Sequence, residues 1–209
     1  MSELRRIRPG LWRWTAAHPA WVPDAAPDSP SDWPREVGCI LYDAPASTVL
    51  VDPLLPEGDD RFLGGLDRHI GNRDLPVSIV TTIKWHRRDR DELARRYGAR
   101  TSRARARLPG GIEPKPISGA GETMFWLAEH RALVPGDRVM GAPAGGLRLC
   151  PESWLTYLPR DTRPSLAEVA TRMRPLLDLP IEMVLVSHGE PVLSDGRHAL
   201  ARALDLSRR

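Results

Sequence analysis

The chain has 209 residues, of which 41% are hydrophobic and 27% charged, and its formal net charge is +3. This composition excludes a disordered chain and is typical of one packed globular domain, which we expect to span residues 1–209. Two cysteines can form neither a disulfide framework nor a four-cysteine zinc site.

No stretch of the sequence predicts a membrane span, because the longest apolar runs, such as Met183–Val186, are only a few residues long. The basic start MSELRRIRPG is not followed by an apolar run, so it does not predict a secretory signal. We therefore expect a cytoplasmic protein that has no membrane partner.

A long loop rich in proline and tryptophan is predicted at residues 15–34. It contains Trp21 and Trp33 together with five prolines, and such loops in compact domains often cover a site. The two indoles either line a pocket or pack the loop onto the body of the protein.

Strands and helices are predicted to alternate after this loop, which favours a layered α/β fold. The predicted strands are Val37–Tyr42, Thr48–Val51, Val77–Ile83, Thr123–Ala128, Arg131–Val134 and Ile181–Val186. Three helices are predicted. Asp89 and Glu92 have the spacing of a capping box at the start of a helix over Asp89–Tyr97. Ser165 and Glu168 have the same spacing before a second helix, which Pro175 shortens or kinks, and a third helix follows Asp195.

The segment from Lys84 to Arg107 is strongly basic, with ten basic and three acidic residues. It could attract an anionic substrate or nucleic acid. The preferred interpretation is a solvated helix, because Asp91 with Arg95 and Glu92 with Arg96 have the spacing that forms ion pairs on a helix surface. The pattern lacks the interleaved aromatic residues of a single-strand binder, so nucleic acid is not the expected partner.

Three predicted strands are followed by side chains that bind metals or transfer protons: His86, Asp137 and His188. Ligands of layered α/β folds gather where such strand ends converge. Two imidazoles and one carboxylate match a zinc or non-haem metal triad in ligand type. Taken singly, each of these histidines is equally well explained as a hydrogen-bonded structural residue. The segments around Asp137 and His188 are equally well explained as simple turns.

The order of these motifs resembles the metallo-β-lactamase-fold superfamily over roughly residues 8–200. The segment VLVDP at residues 49–53 is similar to the family's apolar strand that closes with an aspartate. VSIVTTIKWHRRDRDELARRYGA resembles its strand, metal-binding turn and helix, and GAGETMFWLAEHRALVPGD resembles its later hairpin. VLVSHGEP is similar to its last strand. The resemblance implies an αβ/βα sandwich, with His86, Asp137 and His188 as metal ligands.

The metal-binding turn departs from the family pattern T-x-H-x-H-x-D-H. With His86 at the second histidine, Lys84 replaces the first histidine, Arg88 the aspartate and Asp89 the last histidine. A further family histidine is also missing, and Glu122 is the nearest polar residue there. We therefore expect one zinc or other divalent ion, or none, rather than a two-metal centre.

Two functions are compatible with this pattern. The first is a hydrolase that cleaves an ester, thioester, lactone or phosphoester of a small molecule with one metal-activated water. In this hypothesis Asp89 or Glu122 is the base that positions the water, and Arg87 or Arg88 holds an anionic substrate. The alternative is a metal-free pseudoenzyme, in which Lys84 or Arg88 pairs with Asp137 and the former metal site binds an anionic small molecule or a protein partner.

The other histidines and the cysteines are weaker candidates. His18, His69, His130 and His198 are interpreted as surface or supporting residues. Cys39 lies within a predicted strand and is expected to be a small buried apolar group. Cys150 has no histidine near it in sequence that would make it a nucleophile.

Overall fold

The computed structural model of the chain describes residues 3–102 and 108–206. Its helices are α1 (Asp60–Arg73), α2 (Arg90–Tyr97), α3 (Leu166–Met173) and α4 (Gly196–Leu206). Its first strands are β1 (Arg5–Arg8), β2 (Leu11–Ala17), β3 (Glu36–Ala44), β4 (Ser47–Val51), β5 (Val77–Val80) and β6 (Arg100–Ser102). The later strands are β7 (Glu113–Ile117), β8 (Glu122–Leu127), β9 (Ala132–Val134), β10 (Val139–Gly141), β11 (Leu147–Leu149) and β12 (Met183–Val184).

The first six strands form one sheet in the order β1-β2-β3-β4-β5-β6. Strands β1 to β4 are an antiparallel meander, whereas β5 and β6 run parallel to β4. Parallel neighbours need a crossover connection, and α1 and α2 provide the two crossovers. The second sheet has the order β12-β9-β8-β7, and β10 and β11 form a separate hairpin.

The two sheets pack face to face, with helices on their outer faces. In β3, Ile40 and Tyr42 join the core between the sheets, and Cys39 and Leu41 join the core beneath α1. Alternate residues of the second sheet contact either that central core or the core that includes residues of α3 and α4. This alternation follows from the two-residue period of a strand. The resulting α/β/β/α layering confirms the predicted αβ/βα sandwich.

The sequence pattern does not predict helix α1. Three glycines, Gly64, Gly65 and Gly71, lie within it, and glycine disfavours a helix interior by about 1 kcal/mol per residue. Burial compensates, because Phe62, Leu66 and Ile70 face the core at intervals of one helical turn. The Asp59 side chain caps the helix by accepting the backbone N–H of Phe62.

Of the two predicted helix capping boxes, the one at Ser165 forms and the one at Asp89 does not. Ser165 and Glu168 form the predicted capping box of α3, and that helix ends two residues before Pro175 in a short 3₁₀ turn. Asp89 stands at the N-terminus of α2, but its side chain makes no capping hydrogen bond there. Two predicted strands are shorter than expected: β5 ends at Val80 and β12 covers only Met183–Val184.

The predicted ion pairs of the basic segment are replaced by others. Arg96 pairs with Asp67 of α1 rather than with Glu92, and Asp91 pairs with Arg87 and Arg90 rather than with Arg95. Arg90 is buried, so the helix is not a fully solvated face. The basic residues at 103–107 lie outside the described residues. None of the described helices combines the length and the apolar character that crossing a membrane requires.

Candidate metal centre

The side chains of His86, Asp137 and His188 converge at one edge of the sandwich, beyond the ends of β5, β9 and β12. Nε2 of His86 lies 2.9 Å from Oδ1 of Asp137, and Nε2 of His188 lies 3.2 Å from the same oxygen. All three residues are at least nine-tenths buried. The structure therefore brings together the three residues that the sequence predicts as metal ligands.

The contacts at Oδ1 of Asp137 are close, but their geometry is not that of hydrogen bonds. Among the described residues this buried oxygen has no hydrogen-bond partner of normal angle. Oδ2 of the same carboxylate accepts a hydrogen bond from the indole N–H of Trp85. The Asp137 carboxylate is thus oriented by Trp85, while Oδ1 stays directed at the two imidazole nitrogens.

Asp52 fixes the orientation of His86. Its Oδ2 lies 2.9 Å from Nδ1 of His86 and accepts the hydroxyl proton of Thr82, while Oδ1 accepts the backbone N–H of Thr82 at 2.9 Å. With Nδ1 held by Asp52, Nε2 on the other side of the ring faces Asp137 at 2.9 Å. A carboxylate behind a histidine in this way is the usual support of a metal ligand.

Electrostatics distinguish the two histidines. Burial lowers the pKa of His86, but Asp137 and Asp52 outweigh it and raise that pKa to about 9. Burial lowers the pKa of His188, which the contact with Asp137 only partly offsets. The pKa of Asp137 lies well below its usual value because His86 and His188 overcome the effect of burial. The carboxylate is therefore charged, as a metal ligand requires.

Glu122 holds the loop that presents Asp137. Its Oε1 accepts the backbone N–H of Gly136 at 2.9 Å, and its Oε2 accepts those of Asp137 and Arg138 at 2.8 and 2.9 Å. A Cβ atom on Gly136 would lie 2.7 Å from Oγ1 of Thr82, so only glycine fits this approach. Both carboxylate oxygens are engaged in this structural role.

Arg88 does not pair with Asp137. Its NH1 donates to the carbonyls of Asp52 and Gly38 at 2.7 and 3.2 Å, and its NH2 donates to the hydroxyl of Ser187 at 2.7 Å. Arg88 itself has a left-handed φ of 39°, which is uncommon for a residue with a Cβ atom. The guanidinium thus joins the 84–89 turn to β3, to the end of β4 and to the segment before His188.

The other predicted residues of the 84–89 turn lie away from the three ligands. Lys84 is exposed, with its ammonium 5.6 Å from the Trp85 ring. Asp89 accepts the backbone N–H of Leu55 at 2.6 Å, and neither it nor Glu122 lines the cavity next to the ligands. The base role predicted for Asp89 or Glu122 stays a prediction, to which their placement adds no support.

A cavity of about 270 Å³ opens beside His86, Asp137 and His188. Its wall is aromatic and comes from three parts of the chain: Trp33, Trp85, Trp154 and Tyr157. Trp33 belongs to the proline-rich loop, and Trp33 and Trp154 both stack edge-on against His188. Both alternatives for that loop hold for Trp33, which lines the cavity and also packs against the core. Sequence reasoning did not identify Trp154 or Tyr157, which no local pattern connects to the site.

The histidines interpreted as surface or supporting residues have different environments. His18 lines the cavity, and burial lowers its pKa to about 4, so this ring is neutral. Its Nδ1 accepts the backbone N–H of Ala20, which leaves the proton on Nε2. His69 pairs with Asp43 and His198 is exposed. His130 is 5% exposed, so the surface interpretation is wrong for this residue.

The chain gave no match to any protein-family model or to any curated protein. Solved structures do match it over nearly its whole length. DIM-1 metallo-β-lactamase superposes with a TM-score of 0.64 at 13% identity, covering 99% of this chain and 97% of that one. A metallo-β-lactamase from Erythrobacter litoralis gives 0.62 at 13% identity, with 99% and 92% covered. The chain has the metallo-β-lactamase fold.

A third match bears on metal content. The metallo-β-lactamase FIM-1 from Pseudomonas aeruginosa, solved in a mono-zinc form, superposes with a TM-score of 0.60 at 10% identity and covers 99% and 96% of the two chains. The metallo-β-lactamase fold therefore accommodates a single zinc ion in that protein. At these identities the comparison establishes the fold of this chain and leaves its chemistry to its own residues.

The donor set within this metallo-β-lactamase fold fits one divalent ion. Ligands of a tetrahedral zinc ion at about 2.0–2.1 Å lie about 3.4 Å apart, so the contacts of 2.9 and 3.2 Å would widen by only a few tenths of an ångström. Two imidazoles and a carboxylate leave a fourth position open, as in catalytic zinc sites. Among the described residues this is the one group of three or more potential ligands. The site can hold one metal, and the cavity gives a small molecule access to it.

Proposed function

We propose that the protein is a hydrolase that uses one divalent metal ion, zinc being the first candidate, held by His86, Asp137 and His188. Its substrate is a small molecule with an ester, thioester, lactone or phosphoester bond. The observation that carries the proposal is the convergence of Nε2 of both histidines on Oδ1 of Asp137, next to an open cavity. The shared fold with metallo-β-lactamases supports a hydrolytic class, but does not choose the substrate.

When bound, the ion supplies Lewis-acid polarisation of the scissile group and lowers the pKa of a water molecule. The chain's own residues prepare the site for it. Asp52 holds the Nδ1 proton of His86, so that Nε2 is the nitrogen that would bind the ion after releasing its own proton, and Trp85 orients the Asp137 carboxylate. Glu122 holds the Asp137 backbone in place. Asp52, Trp85 and Glu122 are thus positioning residues.

The cavity wall favours a substrate with an apolar or aromatic group. Trp33, Trp85 and Trp154 provide flat apolar surfaces, which exclude water and bind by area burial. Arg88 also lines the cavity, but its NH1 and NH2 groups are bound to the chain itself. The earlier hypothesis of an anion held by Arg88 is therefore less well supported at this cavity than an uncharged acyl or aryl group.

The second metal position of the family is filled differently in this chain. When the 84–89 turn is aligned with the family's metal-binding turn, Arg88 takes the place of a metal-binding aspartate. The carbonyls of Asp52 and Gly38 hold its guanidinium in place. A second divalent ion beside this cation would be repelled without an intervening carboxylate. The proposal is therefore a single-metal site.

The alternative proposal is a metal-free pseudoenzyme. It draws support from Arg88 at the family's aspartate position and from Lys84 at that of a histidine. Its original form, in which one of these cations pairs with Asp137, does not agree with the contacts of Arg88 or with the exposure of Lys84. A metal-free site would instead consist of His86, Asp137 and His188 in mutual contact.

The test is a hydrolysis screen of metal-loaded and chelator-treated protein. Chromogenic esters, thioesters, lactones, phosphodiesters and β-lactams with apolar substituents are compared, using wild type, Asp137→Asn and the exposed-histidine control His198→Ala. The hydrolase proposal expects turnover of one class that needs metal, is lost in Asp137→Asn and is retained in His198→Ala. Turnover that persists in Asp137→Asn, or a failure to bind metal, contradicts the proposal.

A further inference from the structure

A second cavity, of about 590 Å³, lies beside the candidate metal centre. Trp85 is the one described residue that lines both cavities. The second cavity forms beyond the end of β5, between the 84–89 turn and the start of β8, and it contains none of the three candidate metal ligands. The function proposed above makes no use of it.

The charge of this cavity is strongly positive. Lys84, Arg87 and Arg90 line it, and no aspartate or glutamate is among its described lining residues. Asp91 offsets part of this charge from outside the lining, because it pairs with Arg87 and Arg90. Lys84 forms no ion pair within the described parts of the chain, and its ammonium only approaches the Trp85 ring.

Arg90 and Thr81 are among the lining residues that are buried rather than solvated. Arg90 is 8% exposed, and its Nε and NH2 contact Asp91 at 2.9 Å. Thr81 is 7% exposed, and its hydroxyl has no hydrogen-bond partner among the described residues. A buried hydroxyl without a partner costs about 1–3 kcal/mol, which a bound acceptor would recover. Thr123 adds a second hydroxyl to the same wall.

We propose that this cavity binds a phosphate-class oxyanion, as free phosphate or as the phosphate group of a small monoester. Such an anion carries up to two negative charges and several acceptor oxygens, which match the arginine, the lysine and the threonine hydroxyl that residues 81–90 contribute to this wall. The volume exceeds what one phosphate group needs and leaves room for the rest of a monoester. The site is independent of the metal and of the proposed hydrolysis.

The experiment measures binding of orthophosphate and of glycerol 3-phosphate to metal-free, chelator-treated protein at constant ionic strength. Metal removal excludes phosphate bound to an ion at His86 and His188. Binding is followed by calorimetry and by the increase in the melting temperature, with chloride as the control for general screening. A tighter Kd for glycerol 3-phosphate identifies a monoester as the natural ligand, and an equal or weaker one identifies free phosphate.

The variants separate this site from general electrostatics. Lys84→Met, Arg90→Met and Thr81→Val each remove one hydrogen-bond donor from the cavity wall. The matched control is Arg95→Met, because Arg95 is exposed and lies on α2, the helix that also contains Arg90. We expect the Kd to rise about tenfold or more in the two charge variants and to change less than about twofold in the control. Lys84→Met and Thr81→Val keep the test valid if Arg90→Met does not fold.

Three results overturn the proposal. The first is the absence of saturable binding by either anion. The second is binding that Lys84→Met and Thr81→Val leave unchanged, or that Arg95→Met weakens equally. The third is binding of a single-stranded oligonucleotide more tightly than either small anion, with the same dependence on Lys84, which would make this surface a nucleic-acid site.

Discussion

The carboxylate of Asp52 lies 2.9 Å from Nδ1 of His86, on the opposite side of the imidazole from Asp137. Replacing it in Asp52→Asn keeps the size of the side chain but removes the charge that holds the Nδ1 proton. Because such supporting carboxylates orient the ligand, metal affinity should fall about 10–100-fold. Competition with a chelating dye measures this affinity directly.

The chain offers a matched control for this variant. Asp43 also lies 2.9 Å from a histidine, Nε2 of His69, but this pair joins β3 to α1 and lines neither of the two cavities described above. Asp43→Asn should leave metal affinity unchanged while removing a comparable contact. Equal losses in both variants would show that Asp52 acts through general stability rather than through His86.

Glu122 provides a second prediction. In the structure its carboxylate accepts backbone N–H groups of the loop that presents Asp137, which differs from the predicted role as a catalytic base. In Glu122→Gln, one acceptor oxygen becomes an NH₂ group that faces buried backbone N–H groups of residues 136–138. Leaving such donors unpaired should lower the free energy of unfolding by about 1–3 kcal/mol. Urea unfolding of metal-free protein measures this loss.

A catalytic base at Glu122 would give a different result. Glu122→Gln would then retain the stability of the wild type and lose turnover in the metal-loaded protein. If Glu122 instead positions the Asp137 loop, the free energy of unfolding should fall in Glu122→Gln. The remaining turnover should then be proportional to the metal content of the variant.

The two cysteines should be unreactive in the folded protein. Cys39 and Cys150 are 0% and 1% exposed, and burial raises the pKa of each thiol to about 11. Since the thiolate is the reactive form, iodoacetamide at pH 8 should label neither residue until the chain unfolds. Mass spectrometry of native and urea-unfolded samples checks this, and rapid native labelling of Cys150 would contradict it.

Much of the fold is predictable from local patterns. The apolar strands of residues 37–51 and 77–80 and the Ser165 capping box carry their signals within a few residues. Helix α1 carries no such local signal, because its glycines disfavour a helix. The one-turn spacing of Phe62, Leu66 and Ile70 stabilises it only through their burial in the folded protein. The ion pair between Arg96 and Asp67 could not be predicted for the same reason, because it depends on the packing of α1 against α2.

The candidate site divides in the same way. His86, Asp137 and His188 were predictable because each follows a predicted strand, and strand ends converge in layered folds. The role of Asp52 was not, because its partner His86 is 34 residues away and only the parallel pairing of β4 with β5 brings the two together. The placement of Arg88 also depends on contacts with three separated segments.

The most direct test of the account is the metal content of protein purified without chelators and without a histidine tag. Samples are incubated with zinc, manganese or iron(II), dialysed, and analysed for metal content by inductively coupled plasma mass spectrometry. We expect about one metal ion per chain in wild type and in His198→Ala, and almost none in Asp137→Asn and His188→Ala. No metal under any condition, two ions per chain, or equal metal in all four proteins would contradict the single-metal site.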